Sequence, residues 1–88
     1  MEMKLNKVES ENLYEEVVKR VESYSDYYTT VCAPIDTEYG DDCITFIARY
    51  CGGRNIYMEW DETWYVYSDG RISNSEGDSW ESIEKFDY

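Results

Sequence analysis

Residues 43–50 read Cys-Ile-Thr-Phe-Ile-Ala-Arg-Tyr. Side chains on a strand alternate between faces, so Ile44, Phe46, Ala48 and Tyr50 share one face, and Cys43, Thr45, Ile47 and Arg49 the other. This is the strongest strand in the chain, and the residues after it predict its partners. Gly52-Gly53 marks a turn. Asn55–Trp60 and Thr63–Ser68 are predicted as two further strands, joined near Asp61-Glu62. Asp69-Gly70 is a two-residue hairpin signal, followed by a short strand, Arg71–Ser73. Placing Ile56, Met58, Trp60, Trp64 and Val66 inward sends Tyr57, Glu59, Asp61, Tyr65 and Tyr67 outward.

Upstream, residues 8–27 predict an amphipathic helix. Leu13, Val17, Val21, Tyr24 and Tyr28 recur at helical spacing, with Tyr14 and Val18 widening the apolar face. Ser10 is the expected N-cap, but Leu13 stands where a capping-box Glu would, which leaves open a start a few residues earlier. Glu15 with Lys19 and Glu16 with Arg20 are i,i+4 pairs in the favourable order. From Tyr28 to Ile35 the β-branched Thr29, Thr30 and Val31 favour a strand, which Pro34 confines to an edge or ends. Asp36 to Asp42 reads as an acidic loop around Gly40. Near the C-terminus, Asp78 with Glu81 three residues on resembles a capping box and predicts a short helix, with Trp80, Ile83 and Phe86 toward the sheet. The expected fold class is α+β: a long N-terminal helix, an antiparallel sheet of three to five strands and a short C-terminal helix, in one domain spanning 1–88. The expected core is Leu13, Val17, Val21, Ile44, Phe46, Ile56, Met58, Trp64, Val66, Ile83 and Phe86.

Composition then restricts function. The chain has 20 Asp and Glu against 8 Lys and Arg, a net charge of −12, ten tyrosines, three tryptophans and no histidine. Disordered acidic segments are poor in aromatics, so this density of rings implies a folded domain with a negative surface. Such a field attracts cationic partners and repels nucleic acid and anionic membranes. A domain this small buries only roughly 60–65% of its unfolded surface, and self-repulsion thins its margin further, so the excess of carboxylates is read as serving function.

Several chemistries lack their residues. Without histidine there is no Ser-His or Cys-His nucleophile pair, and the chain is not expected to be an enzyme. Cys32, Cys43 and Cys51 match no metal spacing and are expected as buried free thiols. The cluster Asp36, Glu38, Asp41 and Asp42 fails as an EF-hand: counted from Asp36, the sixth position is Asp41 rather than glycine, and the twelfth is Ile47 rather than glutamate. No metal and no cofactor are expected. Arg49, Arg54 and Arg71 stand among acidic neighbours, which argues against direct nucleic-acid binding. No membrane span is present, and the start, Met1 to Lys7, lacks the apolar run of a signal peptide, so a cytoplasmic location is expected.

The acidic surface is therefore the candidate site. On the helix, Glu11, Glu15, Glu22 and Asp26 fall within about 60° of one another at ~100° per residue, although any soluble helix presents a charged outer face. On the sheet, Tyr57, Glu59, Asp61, Glu62, Tyr65 and Tyr67 form a face of tyrosines and carboxylates. Tyrosine suits binding surfaces because it joins a rigid apolar body to a polar tip. With Asp36, Glu38, Asp41 and Asp42, these carboxylates imitate the charge of a phosphate backbone.

In its acidic helix (Glu11 to Asp26), antiparallel sheet (Cys43 to Ser73), terminal helix and overall charge, the chain resembles the small acidic inhibitors that phages encode against host nucleic-acid machinery, and among them the anti-CRISPR proteins that act as DNA mimics. The resemblance implies a CRISPR-Cas effector as partner and occlusion of the Arg- and Lys-rich site that reads the protospacer-adjacent duplex. The alternative is an immunity protein that neutralises a cationic toxin such as a nuclease, since charge-paired hot spots reach very high affinity. A third is a general interaction domain, for which the acidic face would be dispensable. Oligomeric state is left open.

Overall fold

The structure, a computed structural model, describes residues 5–86; the first four residues of the chain start searched for a leader lie outside them. One helix, α1 (Lys7–Glu22), precedes five strands: β1 (Thr29–Tyr39), β2 (Cys43–Gly52), β3 (Met58–Tyr67), β4 (Ile72–Asn74) and β5 (Ser79–Trp80). They form one antiparallel sheet in the order β1-β2-β3-β4-β5. A 3-10 turn, Ile83–Lys85, follows. The α+β class stands. The expected C-terminal helix is replaced by β5 and this single turn. Asp78 does not cap a helix: its backbone N–H donates to Asn74 Oδ1, closing the β4–β5 turn.

The helix is bounded more tightly than 8–27. Asn6, not Ser10, is the N-cap: its side chain accepts from the Glu9 backbone N–H at 2.9 Å, and Glu9 accepts in return from the Asn6 N–H at 3.2 Å. This reciprocal pair satisfies two donors that the first turn otherwise leaves open. Ser23 ends the helix, so Tyr28 lies beyond it. Leu13, Tyr14, Val17 and Val21 are buried against the sheet.

The inner face of β2 is as the alternation predicts: Ile44, Phe46, Ala48 and Tyr50 are all buried. Phe46 stacks on Trp64, which stacks in turn on Trp80, while Phe86 meets Trp64 edge-on at 5.5 Å. Arg20 donates to the carbonyls of Ile83 and Phe86, so it ties the helix end to the C-terminal segment rather than pairing with Glu16. Lys19 lies 3.9 Å from Glu16 and not against Glu15.

Two strand expectations are corrected, and some core and cysteine positions with them. Asn55–Trp60 and Thr63–Ser68 are not two strands: β3 is continuous and pairs residue by residue with β2 from Cys43↔Tyr67 to Gly52↔Met58. Ile56 and Met58 are consequently outside the core, 73% and 57% exposed, because they lie at the far end of the hairpin where no second layer covers them. Ile83 is only partly buried, packed against the core's edge. β1 is an edge strand, the first of the two outcomes Pro34 allowed; the proline does not end it, and it runs on through Asp36 to Tyr39, so most of the expected acidic loop is strand. Its register shifts between Cys32 and Ile35 and again between Ile35 and Glu38, with Asp36 at φ 51° inside the second shift. Bulges of this kind bend a strand, and here the far half of β1 reaches the helix, where the Tyr14 hydroxyl and Thr37 Oγ1 are 3.0 Å apart. The cysteines are free, but Cys32 is exposed and Cys43 and Cys51 are half-buried, because all three fall on the sheet face that α1 leaves open.

Candidate functional site

Continuity of β3 decides which acidic side chains reach solvent. Met58, Trp60, Glu62, Trp64 and Val66 share the helix-facing side, and Glu59, Asp61, Thr63, Tyr65 and Tyr67 share the other. Reading β3 as two strands joined at Asp61-Glu62 had placed both carboxylates outside. The structure keeps Asp61 outside and turns Glu62 inward, where it is 3% exposed. Glu62 is therefore not part of the exposed face expected of it. Its Oε1 is buried with no hydrogen-bond partner among the described residues. Burial pushes its carboxyl pKa up, the Tyr50 hydroxyl pulls it back in part, and the negative Glu76 and Asp78 push it up again.

On the open face, Arg49 donates to both carboxylate oxygens of Asp61, at 2.9 and 3.1 Å. This fork-to-fork pairing is the strongest geometry available to the two groups. It raises the Arg49 pKa, with Glu59 and Asp36 adding their charge, and lowers that of Asp61. The Tyr57 hydroxyl donates to Glu59 at 3.0 Å, and that bond pushes the phenol up to about 12. Asp36 and Glu38 are exposed on the adjoining β1, while Tyr65 and Tyr67 are half-buried on β3. Arg71 sits over the Tyr67 ring at 4.7 Å and pairs with Asp69. The open face thus carries Asp36, Glu38 and Glu59 as exposed acids, and its two arginines are each engaged by an aspartate.

The remaining acids fall into two other places. Glu11, Asp41 and Asp42 line one hollow between the start of α1 and the β1–β2 turn, together with Lys7, Tyr39 and Ser68. Glu11 and Glu15 also border the groove between α1 and β1, beside Tyr14, Pro34 and Tyr39. Glu22 is exposed at the helix end. Asp26 does not extend the helical row, because α1 has already ended; its Oδ1 accepts from the backbone N–H groups of Tyr28 and Thr29, both at 2.8 Å. The expected helix stripe and the open sheet face are on opposite sides of the domain, so one flat partner surface cannot cover both.

One feature escaped the sequence reading. The tip of the β2–β3 hairpin exposes Ile56, Tyr57, Met58 and Trp60, and Tyr27 and Tyr28 beside it are also exposed. Gly53 donates to the Tyr28 carbonyl at 2.8 Å, Arg54 lies over the Tyr28 ring at 5.6 Å, and Trp60 stacks on Tyr50 at 5.3 Å. The signal was the glycine pair 52–53 with the apolar run Ile56-Tyr57-Met58 three residues on, across Arg54 and Asn55, which is also how a turn with an apolar crown is written.

Among the described residues, no group of three or more Cys, Asp or Glu side chains is arranged to hold a metal ion, and no helix is long and apolar enough to cross a membrane. No protein-family model, curated protein or solved structure matches this chain.

Proposed function

We propose that this protein is an inhibitor that binds a cationic nucleic-acid-binding protein and denies that protein its DNA. The supporting observation is the open sheet face: three exposed carboxylates, Asp36, Glu38 and Glu59, beside tyrosines, with Arg49 and Arg71 already engaged by Asp61 and Asp69. Side chains two apart on one strand edge are ~6–7 Å apart, whereas duplex DNA carries one charge per ~1.7 Å of axis. Matching that density takes more than one element, and β1 and β3 present their acids side by side across β2. A CRISPR-Cas effector is the target proposed, because its duplex-reading site is built from Arg and Lys.

The test is direct competition. Purified effector–guide complexes are titrated with this protein in the presence and absence of protospacer-adjacent duplex, at low and high salt. Mimicry requires that duplex displace the protein and that affinity fall at least about tenfold between 50 and 200 mM salt, as counterion-linked contacts do. Binding that survives a large excess of duplex refutes mimicry. The exposed apolar hairpin tip favours a second reading, an immunity protein against a cationic nuclease, because buried aromatic anchors are the usual energetic centre of protein–protein interfaces. That reading predicts a nuclease partner bound indifferently to added DNA.

A further inference from the structure

We infer that the β2–β3 hairpin tip is the apolar anchor of the binding surface, and that its occupant is an apolar pocket framed by Lys and Arg on a cationic protein. The inference rests on the proposal that the partner is cationic. Tyr27 is 94% exposed, Ile56 73%, Tyr57 69%, Met58 57%, Tyr28 46% and Trp60 39%. These residues gather at one end of one hairpin, where Gly53 bonds to the Tyr28 carbonyl and Trp60 stacks on Tyr50. Soluble monomers rarely leave a continuous apolar patch of more than a few hundred Å², and larger ones mark interaction sites.

Shape and charge select the occupant. The domain measures 48 × 24 × 20 Å. Ten residues of strand span roughly 33 Å, more than either short dimension, so β2 and β3 run along the long axis and the tip lies at one end of it. It is a protrusion, suited to a recess rather than to a flat surface. Two acids flank it: Glu59, held by the Tyr57 hydroxyl, and Asp26, held by the backbone at Tyr28, while Asp61 further along β3 is already paired with Arg49. Arg54 is the cation at the tip itself, and it lies over the Tyr28 ring. A second copy of this chain would bring the same acids against one another, at −12 per molecule, so charge opposes a tip-to-tip homodimer. A cationic rim around an apolar pocket meets both features at once, in the arrangement of a dry hot spot ringed by polar contacts.

Two labelled peptides of equal charge serve as probes: oligolysine, which offers charge alone, and an alternating Lys/Leu peptide, which offers charge with an apolar face. Affinity is read by fluorescence polarisation at 150 mM salt for the wild type, for Ile56→Ser with Met58→Ser, for Tyr57→Ser, and for Glu38→Lys with Glu59→Lys. The substituted side chains are exposed, and circular dichroism melts check that each variant is folded. The tip variants are expected to lose tenfold or more for the Lys/Leu peptide and to keep wild-type affinity for oligolysine. Wild-type affinity of both tip variants for the Lys/Leu peptide overturns the tip's role and leaves the cationic-partner proposal standing. Wild-type affinity of the charge-reversed variant for both peptides overturns the cationic-partner proposal, and the inference with it. A concentration-dependent dimer in sedimentation that the tip variants abolish makes a second copy the occupant and also overturns the inference.

Discussion

Glu62→Gln removes a charge the fold holds under protest. The side chain is 3% exposed, and its Oε1 has no hydrogen-bond partner among the described residues. Burial raises its pKa above the ordinary value, with Glu76 and Asp78 adding to the rise. A carboxyl whose folded pKa is raised binds its proton more tightly in the folded state. Its contribution is therefore most favourable below the unfolded pKa of ~4.3 and is lost as pH rises through the folded value. Gln mimics the protonated form and still accepts from the Tyr50 hydroxyl. The amide is as buried as the carboxylate it replaces, so the gain comes from removing the charge: an unpaired buried charged group costs more than the ~1–3 kcal/mol of a neutral one, and the variant should gain about 1–2 kcal/mol at pH 7. For a domain of this size that is a Tm increase of roughly 5–15 °C. Circular dichroism melts of both proteins from pH 3.5 to 8 measure it. The gain should vanish below about pH 4, grow as Glu62 ionises in the wild type, and then level off. A difference independent of pH, or a less stable Gln variant at pH 7, would refute the assignment of Glu62 as a buried, strained carboxylate.

Phe46→Ala, at a fully buried ring between Tyr14 and Trp64, should cost about 3–5 kcal/mol in urea unfolding, enough to unfold a domain with so small a core. Gly52→Ala should cost roughly 1–3 kcal/mol, because Gly52 has φ 128° and a Cβ there collides with the Tyr28 carbonyl oxygen; an unchanged urea midpoint would rule that out. Raising salt from 0.05 to 0.5 M should raise the Tm of the wild type, since ions screen the self-repulsion of a −12 chain, while the same change weakens partner binding.

The central strand was legible because its period of two is uninterrupted from Cys43 to Tyr50, and one face of it is wholly apolar. Leu13, Val17 and Val21 were legible for the same reason at helical period. What was lost lay where polar residues occupy inward positions or apolar ones outward positions. Asp61-Glu62 looked like a turn because two adjacent acids inside a strand contradict burial; the structure accepts one of them into the core face and bonds the other to Arg49. Ile56 and Met58 looked like core because apolar residues ordinarily are. Ser10 fails as N-cap because Leu13 stands where a capping-box Glu is needed, and the complete box, Asn6 with Glu9, lies four residues upstream. The short terminal helix failed because Asp78 found a closer use in the turn with Asn74. Of the candidate site, the acids of β1 and Glu59 stand exposed as expected, while Asp61 is exposed but paired and Glu62 is buried.

These displacements bear on how any loss of binding is read. The core is concentrated where α1 covers the sheet, around Phe46, Trp64 and Phe86. The apolar tip lies at the end of the hairpin away from the β1–β2 turn, and its Trp60 joins it to the core by stacking on the buried Tyr50. A variant at Phe46 that loses a partner reports on folding alone. A variant at Ile56 or Met58 removes surface that contributes little to the folded core, so its effect on a partner reports on recognition. Glu59 stands between the two cases: it is exposed, yet it anchors the Tyr57 ring through a hydrogen bond. Glu59→Gln, which keeps the acceptor and removes the charge, separates its electrostatic attraction for a partner from its positioning of Tyr57, and Glu59→Lys removes both together.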